Sequence, residues 1–106
     1  MILFQLYFEV APQRHAEFER AYTEVFEPAL RKQIGFESVK FLRLYGATES
    51  LKIGAAPTEF NYQVNFVFDS EESRRRWSTS RDHDAAWPKF SAIAQKAAWR
   101  GYELIP

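Results

Sequence analysis

The stretch DSEESRRRWSTSRDHDAAWPKF (residues 69–90) predicts how the second half of the chain folds. Asp69 or Ser70 is suited to cap a helix, and Glu72 completes a capping box with Asp69. Pro88 indicates the first turn of a second helix, because proline has no N–H to donate and is tolerated at that position. We therefore expect a helical region that is broken in two.

Alternating apolar residues predict strands on either side of this stretch. Residues 60–68 place five apolar side chains on one face and mostly polar ones on the other. Residues 99–105 form the last predicted strand. Toward the N-terminus, residues 2–10 and 36–45 alternate in the same way, and residues 12–33 between them follow the apolar spacing of a buried helix stripe.

The resulting order of elements is β-α-β-β-α-β. This order is typical of the ferredoxin-like fold, an α+β arrangement in which helices cover one face of a four-stranded antiparallel sheet. With 106 residues, we expect one domain spanning 1–106. Pro28 predicts a kink within the first helix. The connection 46–59 is long and rich in small residues, so it is interpreted as a floppy hairpin tip or a lid.

The composition argues against several classes of function. Lys+Arg and Asp+Glu both number 14, so the formal net charge is zero, which disfavours nucleic acid and membrane surfaces as partners. The absence of cysteine excludes disulfides and thiolate chemistry. The apolar N-terminus lacks the features of a signal peptide, and no run reaches membrane-spanning length, so a cytoplasmic protein is expected.

A second apolar surface is expected on the sheet face that the helices leave open. Aromatic residues make up 17% of the chain, which is high for its length. Leu3, Tyr7 and Val67 are predicted to lie on that open face. Apolar surface on an open sheet face is usually buried against a partner, and a second copy of the chain related by two-fold symmetry is the simplest partner. We therefore expect a homodimer.

The chain resembles the antibiotic biosynthesis monooxygenase family of the dimeric α/β-barrel superfamily. The resemblance covers almost the whole chain and rests on the order of elements, on PALRKQIGFESVKFL (residues 28–42) and on VNFVFDSEESRRRWSTSRDH (residues 64–83). The second stretch contains Trp77, Ser80 and His83 in a Trp-x-x-Ser-x-x-His pattern. The resemblance implies a homodimeric barrel with a pocket between sheet and helices in each subunit. The family includes cofactor-independent oxygenases of polycyclic phenols, quinol oxygenases and haem-degrading enzymes.

The haem-degrading branch resembles this chain at Trp77, which matches the tryptophan of that branch's Asn-Trp-His triad. The iron-ligating histidine of the branch would fall near Trp87 rather than at His83, and its asparagine would fall near Leu6. Because both residues are missing, the resemblance does not extend to haem degradation. No cofactor is therefore expected.

His83 is the candidate catalytic residue. It stands between Asp82 and Asp84 at the predicted helix break, where a neighbouring carboxylate would raise its pKa and orient its ring. It would serve as a general base or as a hydrogen-bond donor to a phenol or quinone oxygen. The alternative is that it braces the junction of two helices. His15, early in the first helix, is expected at the surface.

Four further residues are candidates for substrate binding. Trp77 and Trp87 would clamp a planar aromatic ligand, or else anchor a helix in the core. Tyr22 offers a hydroxyl on the inward stripe of the first helix, or plain core packing. Arg43, on an otherwise apolar strand face, would contact a ligand carboxylate or phenolate, or a carboxylate at a subunit interface. The run 74–76 of three arginines is interpreted as a solvated face.

The predicted function is cofactor-independent monooxygenation of a small aromatic, phenolic or quinone-like substrate, which supplies its own electrons once deprotonated. The alternative is a non-catalytic dimeric domain that binds a small ligand or has a structural role. A metal site is not expected from two histidines without cysteine. RNA-recognition domains share the element order and carry aromatic residues on the first and third strands, here Phe4, Tyr62, Phe66 and Phe68. The third strand lacks their basic residue and glycines, so this function is disfavoured.

Overall fold

The computed structural model describes all 106 residues. Its four strands form one antiparallel sheet in the order β2-β3-β1-β4. The strands are β1 (Ile2–Glu9), β2 (Phe36–Arg43), β3 (Tyr62–Phe68) and β4 (Lys96–Glu103). Helices pack on one face of this sheet, and the predicted ferredoxin-like α+β fold is confirmed.

The helical region between β1 and β2 changes its winding along its length. It consists of a 3₁₀ turn (Pro12–Arg14), α1 (His15–Ala21), a π-helical segment (Tyr22–Phe26) and α2 (Glu27–Arg31). Pro28 lies in the first turn of α2, so the predicted kink takes the form of a wider turn before the proline. Gly35 then has a φ of 88°, which favours glycine. A Cβ at this glycine would clash with Ser73 Oγ, so the turn also allows a close approach of the next helical region.

The connection between β2 and β3 contains a short helix, α3 (Ala47–Lys52), which the sequence did not indicate. The apolar residues Leu51 and Ile53 at its end are exposed. The connection borders a cavity of about 480 Å³ together with Tyr7 and the ends of β2 and β3. It does not border the smaller cavity that lies between sheet and helices.

The second helical region is broken in two, as predicted, but the break lies elsewhere. It consists of α4 (Glu71–Ser78) and α5 (Arg81–Ser91). Ser70 caps α4 by accepting a hydrogen bond from the Ser73 backbone N–H at 3.2 Å. Ser80 caps α5 by accepting one from the His83 N–H at 3.1 Å. The expectation that Pro88 stands in the first turn was wrong, because the Ser80 cap starts the helix two turns earlier.

A single core of sixteen buried residues fills the space between helices and sheet. The aromatic residues of β3 contribute to it: Tyr62, Phe66 and Phe68 are each at most 2% exposed. Phe4 packs against this core from β1. Since these rings lie under the helices, they do not form the open stacking platform of an RNA-recognition sheet.

The opposite face of the sheet has no helix over it. Leu3, Tyr7 and Val67 lie there partly exposed, as predicted. Leu3 stands opposite Val67 on β3 and opposite Tyr102 on β4, so an apolar row crosses these three neighbouring strands near one end of the sheet. None of the helices is long and apolar enough to span a membrane. The cytoplasmic location expected from the sequence stays a prediction.

Candidate functional site

A cavity of about 230 Å³ lies between the sheet and the helices α4 and α5. Phe4, Leu6 and Phe66 line it from the two central strands, and Trp99 lines it from the edge strand β4. Seven of its ten lining residues are hydrophobic. The only charged side chain among them is that of Arg74. Such an apolar enclosure with few polar groups is typical of small-molecule sites.

His83 lines this cavity from the first turn of α5. Its ring packs edge-on against Trp77, with 5.0 Å between centroids, and lies nearly parallel to the Trp87 ring at 6.0 Å. Its Nδ1 atom is buried and has no hydrogen-bond partner. The nearest carboxylate oxygen, on Asp84, is 3.8 Å away, which is too long for a hydrogen bond.

The charge state of His83 is set by burial. Burial lowers the pKa of the imidazole, and this effect outweighs the raising effect of the Asp84 carboxylate. The expectation of a raised pKa was therefore wrong. The Asp84 side chain is 75% exposed, so water screens its charge. A neutral imidazole has one ring nitrogen free to accept a proton, which is what a general base requires.

The two predicted tryptophans both line the cavity. Trp77 is 3% exposed and packs edge-on against Phe26 at 5.8 Å, so it also anchors α4 in the core. Trp87 is partly exposed and contacts Phe8 and Phe26 at centroid distances of 5.9 and 6.2 Å. The structure thus brings Trp77, His83 and Trp87 together, with the imidazole between the two indoles.

Sequence reasoning missed Trp99 as a lining residue. Its opposite partner on β1 is Leu6, and this register places it on the helix-facing side. It is 56% exposed and meets Trp87 edge-on at 6.1 Å. Beside it, Gly101 stands opposite Phe4, and a Cβ there would lie 2.9 Å from the Phe4 ring. The glycine therefore leaves room for the ring that lines the cavity.

Sequence reasoning also assigned Arg74 to a solvated face, and this was wrong. The Arg74 side chain is 18% exposed, whereas those of Arg75 and Arg76 are 68% and 57% exposed. Its guanidinium carbon lies 4.8 Å from the centre of the Phe4 ring. Glu71, one turn earlier, binds the guanidinium through Nε and Nη2. Nothing in the local sequence distinguishes this arginine from its neighbours except its position three residues before Trp77.

Tyr22 and Arg43, the other two predicted substrate-binding residues, do not line this cavity. Tyr22 is 5% exposed and stacks on Phe41 with 4.0 Å between ring centroids. Burial raises the pKa of its hydroxyl to about 12. Arg43 is mostly exposed and pairs with Glu19 at 3.0 Å. Tyr22 is therefore core packing, and Arg43 borders the larger cavity instead.

His15 is partly buried rather than a surface residue. Its ring meets Tyr62 edge-on at 5.1 Å, and its Nε2 lies 3.1 Å from the Val10 carbonyl oxygen. The same carbonyl accepts a hydrogen bond from Asn61 Nδ2 at 2.8 Å. These contacts join the end of β1 to the start of β3, so His15 has a bracing role. The chain contains no group of three or more His, Asp or Glu side chains placed to hold a metal ion.

Fold and cavity together define a ferredoxin-like domain with an internal aromatic pocket. Solved structures share this fold over nearly the whole chain. A mutant of SnoaB, a cofactor-independent oxygenase from Streptomyces nogalater, is similar with a TM-score of 0.76 at 16% identity, covering 97% of this chain and 91% of that chain. A mutant of MhuD, with two manganese protoporphyrin IX bound per active site, gives 0.75 at 19% identity, covering 100% and 96%.

A dimeric ferredoxin-like protein of unknown function from Thermobifida fusca gives a TM-score of 0.70 at 18% identity, covering 97% of this chain and 90% of that chain. Antibiotic biosynthesis monooxygenase-like proteins are among the similar structures, so the predicted resemblance is confirmed at the level of the fold. Identities this low show the fold alone. Neither a protein-family model nor a curated protein sequence matches the chain.

The MhuD structure contains a porphyrin, so the size and lining of the present cavity can be compared with what a porphyrin requires. Pockets for drug-sized ligands span about 300–1,000 Å³, and a porphyrin is larger than most such ligands. The cavity here measures about 230 Å³. Trp87 fills the space beside His83 with an indole that has no iron-ligating nitrogen. These residues do not fit a haem group.

Proposed function

We propose that this protein is a cofactor-independent monooxygenase that acts on a small aromatic, phenolic or quinone-like substrate in the 230 Å³ cavity. The observation that carries the proposal is the imidazole of His83, which lies between two indole rings with an unpartnered, buried Nδ1. A buried polar atom without a partner is unusual in proteins. A ligand hydroxyl would supply the missing hydrogen bond.

In the proposed reaction, His83 accepts the proton of the bound phenol. The anion that forms is electron-rich, and the apolar walls keep water from competing for its charge. Where the ring carries a CH₂ carbon, O₂ gives one oxygen atom to a new carbonyl and the other leaves as water. The two hydrogens of that carbon supply the water, so the reaction balances without an external reductant.

The tryptophans have two roles in this proposal. Trp77 and Trp87 offer flat apolar faces on which an aromatic ring can pack, an arrangement that adds about 0.5–1.5 kcal/mol beyond area burial. They also restrict the His83 ring, because its edge meets Trp77 and its face lies parallel to Trp87. A restricted base requires less reorganisation when the proton moves.

We also propose that the protein is a homodimer that buries the open sheet face. The apolar row across Leu3, Val67 and Tyr102 supports this arrangement. The similar structure from Thermobifida fusca is a dimeric ferredoxin-like protein. In this assembly the cavity stays within each subunit, because it lies on the helix side of the sheet.

The test combines ligand-induced stabilisation with oxygen uptake. One- and two-ring phenols and quinols are titrated while the melting temperature is followed, since a ligand that binds the folded state raises it. Oxygen consumption is then measured with each compound that binds. His83→Gln is expected to weaken binding without abolishing it, because the tryptophan faces remain, and to lower the rate of oxygen uptake at least about 100-fold, the usual contribution of a general base.

Tyr22→Phe is the matched control, because Tyr22 lies in the core away from the cavity. It is expected to leave the oxygen uptake rate unchanged. The proposal fails if no compound raises the melting temperature, or if His83→Gln consumes oxygen as fast as the unchanged protein.

A second candidate function is a binding domain without catalysis. The small volume of the cavity favours it, because few enzyme substrates of polycyclic size would enter. Under this alternative, compounds raise the melting temperature but none causes oxygen uptake.

A further inference from the structure

We propose that the substrate of this cavity carries an anionic group, a carboxylate, in addition to its aromatic ring, and that Arg74 selects for it. This inference rests on the proposed ligand-binding role of the cavity. It concerns the class of substrate, which neither the fold nor the similar structures define.

The placement of Arg74 sets it apart from the arginines that follow it. All three belong to the same exposed-looking run, yet only the Arg74 side chain turns under the helix and lines the cavity. There its guanidinium lies over the Phe4 ring, and Phe4 in turn packs against Phe66 at 5.7 Å. An aromatic ligand that packs against Phe66 or Trp77 in the cavity would therefore meet the guanidinium beside the Phe4 ring.

Part of the guanidinium remains free to bind a ligand. Glu71 uses Nε and Nη2, while Nη1 makes no hydrogen bond within the chain. The Glu71 side chain is 43% exposed, so its charge is solvated in part and neutralises Arg74 incompletely. A planar guanidinium with unused N–H donors at an apolar site is suited to binding a carboxylate.

The other polar group of the cavity does not compete for this role. Burial lowers the pKa of His83, so at neutral pH its imidazole attracts an anion by charge less than the Arg74 guanidinium does. The His83 ring lies nearly perpendicular to that of Trp77, with 5.0 Å between centroids, and Arg74 lies one helical turn before that tryptophan. A ligand that reaches both residues would place its carboxylate at Arg74 and its ionisable hydroxyl at His83, with the aromatic ring against Trp77.

The size of the cavity restricts the ring system. A volume of about 230 Å³ lies below the usual range for drug-sized ligands. One ring or two fused rings with a hydroxyl and a carboxylate fit this space. The substrate class that follows is a one- or two-ring hydroxyaromatic acid.

Isothermal titration calorimetry with matched two-ring probes tests the assignment. The probes are 2-naphthol and 2-naphthoate, which differ in the acidic group, and 6-hydroxy-2-naphthoate, which carries both groups. The unchanged protein is expected to bind 2-naphthoate about tenfold more tightly than 2-naphthol, since one charge-assisted hydrogen bond contributes about that factor. Arg74→Gln is expected to abolish this preference and to leave the dissociation constant of 2-naphthol within about twofold.

Two further variants make the result specific. Arg75→Gln is the matched control, since Arg75 also lies 3.9 Å from Glu71 but is exposed to solvent. It is expected to keep the preference for 2-naphthoate. Glu71→Gln removes the charge that partly neutralises Arg74, and it is expected to tighten 2-naphthoate binding severalfold without any effect on 2-naphthol. If circular dichroism shows that Arg74→Gln does not fold, Glu71→Gln still tests whether Arg74 binds the carboxylate.

The inference is overturned if the unchanged protein binds 2-naphthol and 2-naphthoate equally, or if Arg75→Gln loses the preference as Arg74→Gln does. The protein could instead bind 2-naphthol and show His83-dependent oxygen uptake without any preference for 2-naphthoate. That result would overturn this inference and leave the proposed function standing. If none of the three probes binds, the inference is overturned, whereas the proposed function fails only if the phenols and quinols of the melting-temperature experiment also fail to bind.

Discussion

At position 83, a partly buried imidazole lies beside an exposed carboxylate, and burial decides its charge. This has a consequence for stability that can be measured. A histidine with a lowered pKa binds fewer protons when folded than when unfolded, so stability rises with pH in the window between the folded pKa and the ordinary value of 6.5. Above that window the contribution is constant.

We therefore expect the free energy of unfolding to fall as the pH is lowered from about 6.5 toward 5, with a slope of at most about 1.4 kcal/mol per pH unit for one proton. Urea denaturation at several pH values measures it. The carboxylates with lowered pKa values, Glu17, Asp69 and Glu71, lose their contributions below pH 4.5 and do not interfere.

His83→Gln should flatten the dependence in this window. Tyr22→Phe should preserve it, because burial raises the pKa of the Tyr22 hydroxyl to about 12, far above this window. A slope that survives in the His83 variant would mean that another group titrates there, and that the imidazole is not buried as described. This experiment needs no ligand, so it tests the environment of the proposed base separately from its reaction.

Which residues of the site the sequence could predict depends on how far apart they lie along the chain. Trp77, His83 and Trp87 belong to one contiguous stretch, so local spacing was enough to group them. Trp99 required the register of β4 on β1, and Arg74 required knowledge of the Phe4 ring across the sheet. Both are contacts between distant segments, which a local pattern does not contain.

The same limit explains why the sequence groups Tyr22 and Arg43 with Trp77, His83 and Trp87, although neither lines the same cavity. Apolar periodicity identifies the inward face of an element. It does not tell which inward positions border a cavity and which are covered by another ring. Tyr22 is covered by Phe41, and this contact between a helix and β2 depends on how the two pack.

At the scale of elements, the junction between α4 and α5 positions the candidate base. Ser80 joins the two helices, because its Oγ donates to the Trp77 carbonyl at 2.8 Å and accepts from the His83 N–H at 3.1 Å. This one hydroxyl ends the turn that carries one indole and starts the turn that carries the imidazole. Its removal should therefore affect both stability and the site.

We expect Ser80→Ala to lower the free energy of unfolding by about 1 kcal/mol, the usual cost of a lost N-cap. We also expect it to weaken binding of the aromatic probes, because His83 loses the cap that fixes its backbone. Urea denaturation measures the first effect, and calorimetric titration of 2-naphthol measures the second.

Ser70→Ala is the control for this pair of measurements. Ser70 caps α4 with a similar hydrogen bond at 3.2 Å but lies outside the cavity lining. A similar loss of stability with unchanged binding is expected. Equal weakening of binding in both variants would show that general destabilisation, rather than the position of His83, controls the affinity.

The elements themselves were mostly predictable, and the exceptions have physical causes. Strands of alternating residues and the capped start of α4 were predicted correctly, because each signal is local. The start of α5 was not, because Pro88 indicates a first turn later in the chain than the one that the Ser80 cap begins. The short helix α3 lies in a segment of small and polar residues without an apolar stripe, so no periodic signal predicted it.

At the scale of the whole molecule, the two faces of the sheet differ in how much of their apolar surface is covered. The helix-facing side is covered by the core and contains the cavity. The other side keeps the partly exposed row of Leu3, Val67 and Tyr102, together with Leu42, which is 42% exposed. Apolar surface of this kind is typical of a face that binds another protein surface.

Light scattering at micromolar concentration is therefore expected to give twice the chain mass of 12.5 kDa. Val67→Arg should reduce the mass to that of one chain, because it places a charge in the apolar row, where a two-fold interface would bury it twice. Ala85→Arg adds the same charge on the exposed side of α5 and should leave the dimer intact.

The monomeric Val67→Arg variant would also separate assembly from ligand binding. Since the cavity lies on the opposite side of the sheet, this variant should bind 2-naphthol as the unchanged protein does, provided that its circular dichroism spectrum is retained. A mass of 12.5 kDa for the unchanged protein would contradict the dimer, and a dimer that tolerates Val67→Arg would place the interface elsewhere. Loss of binding in a folded monomer would show instead that the partner subunit completes the site.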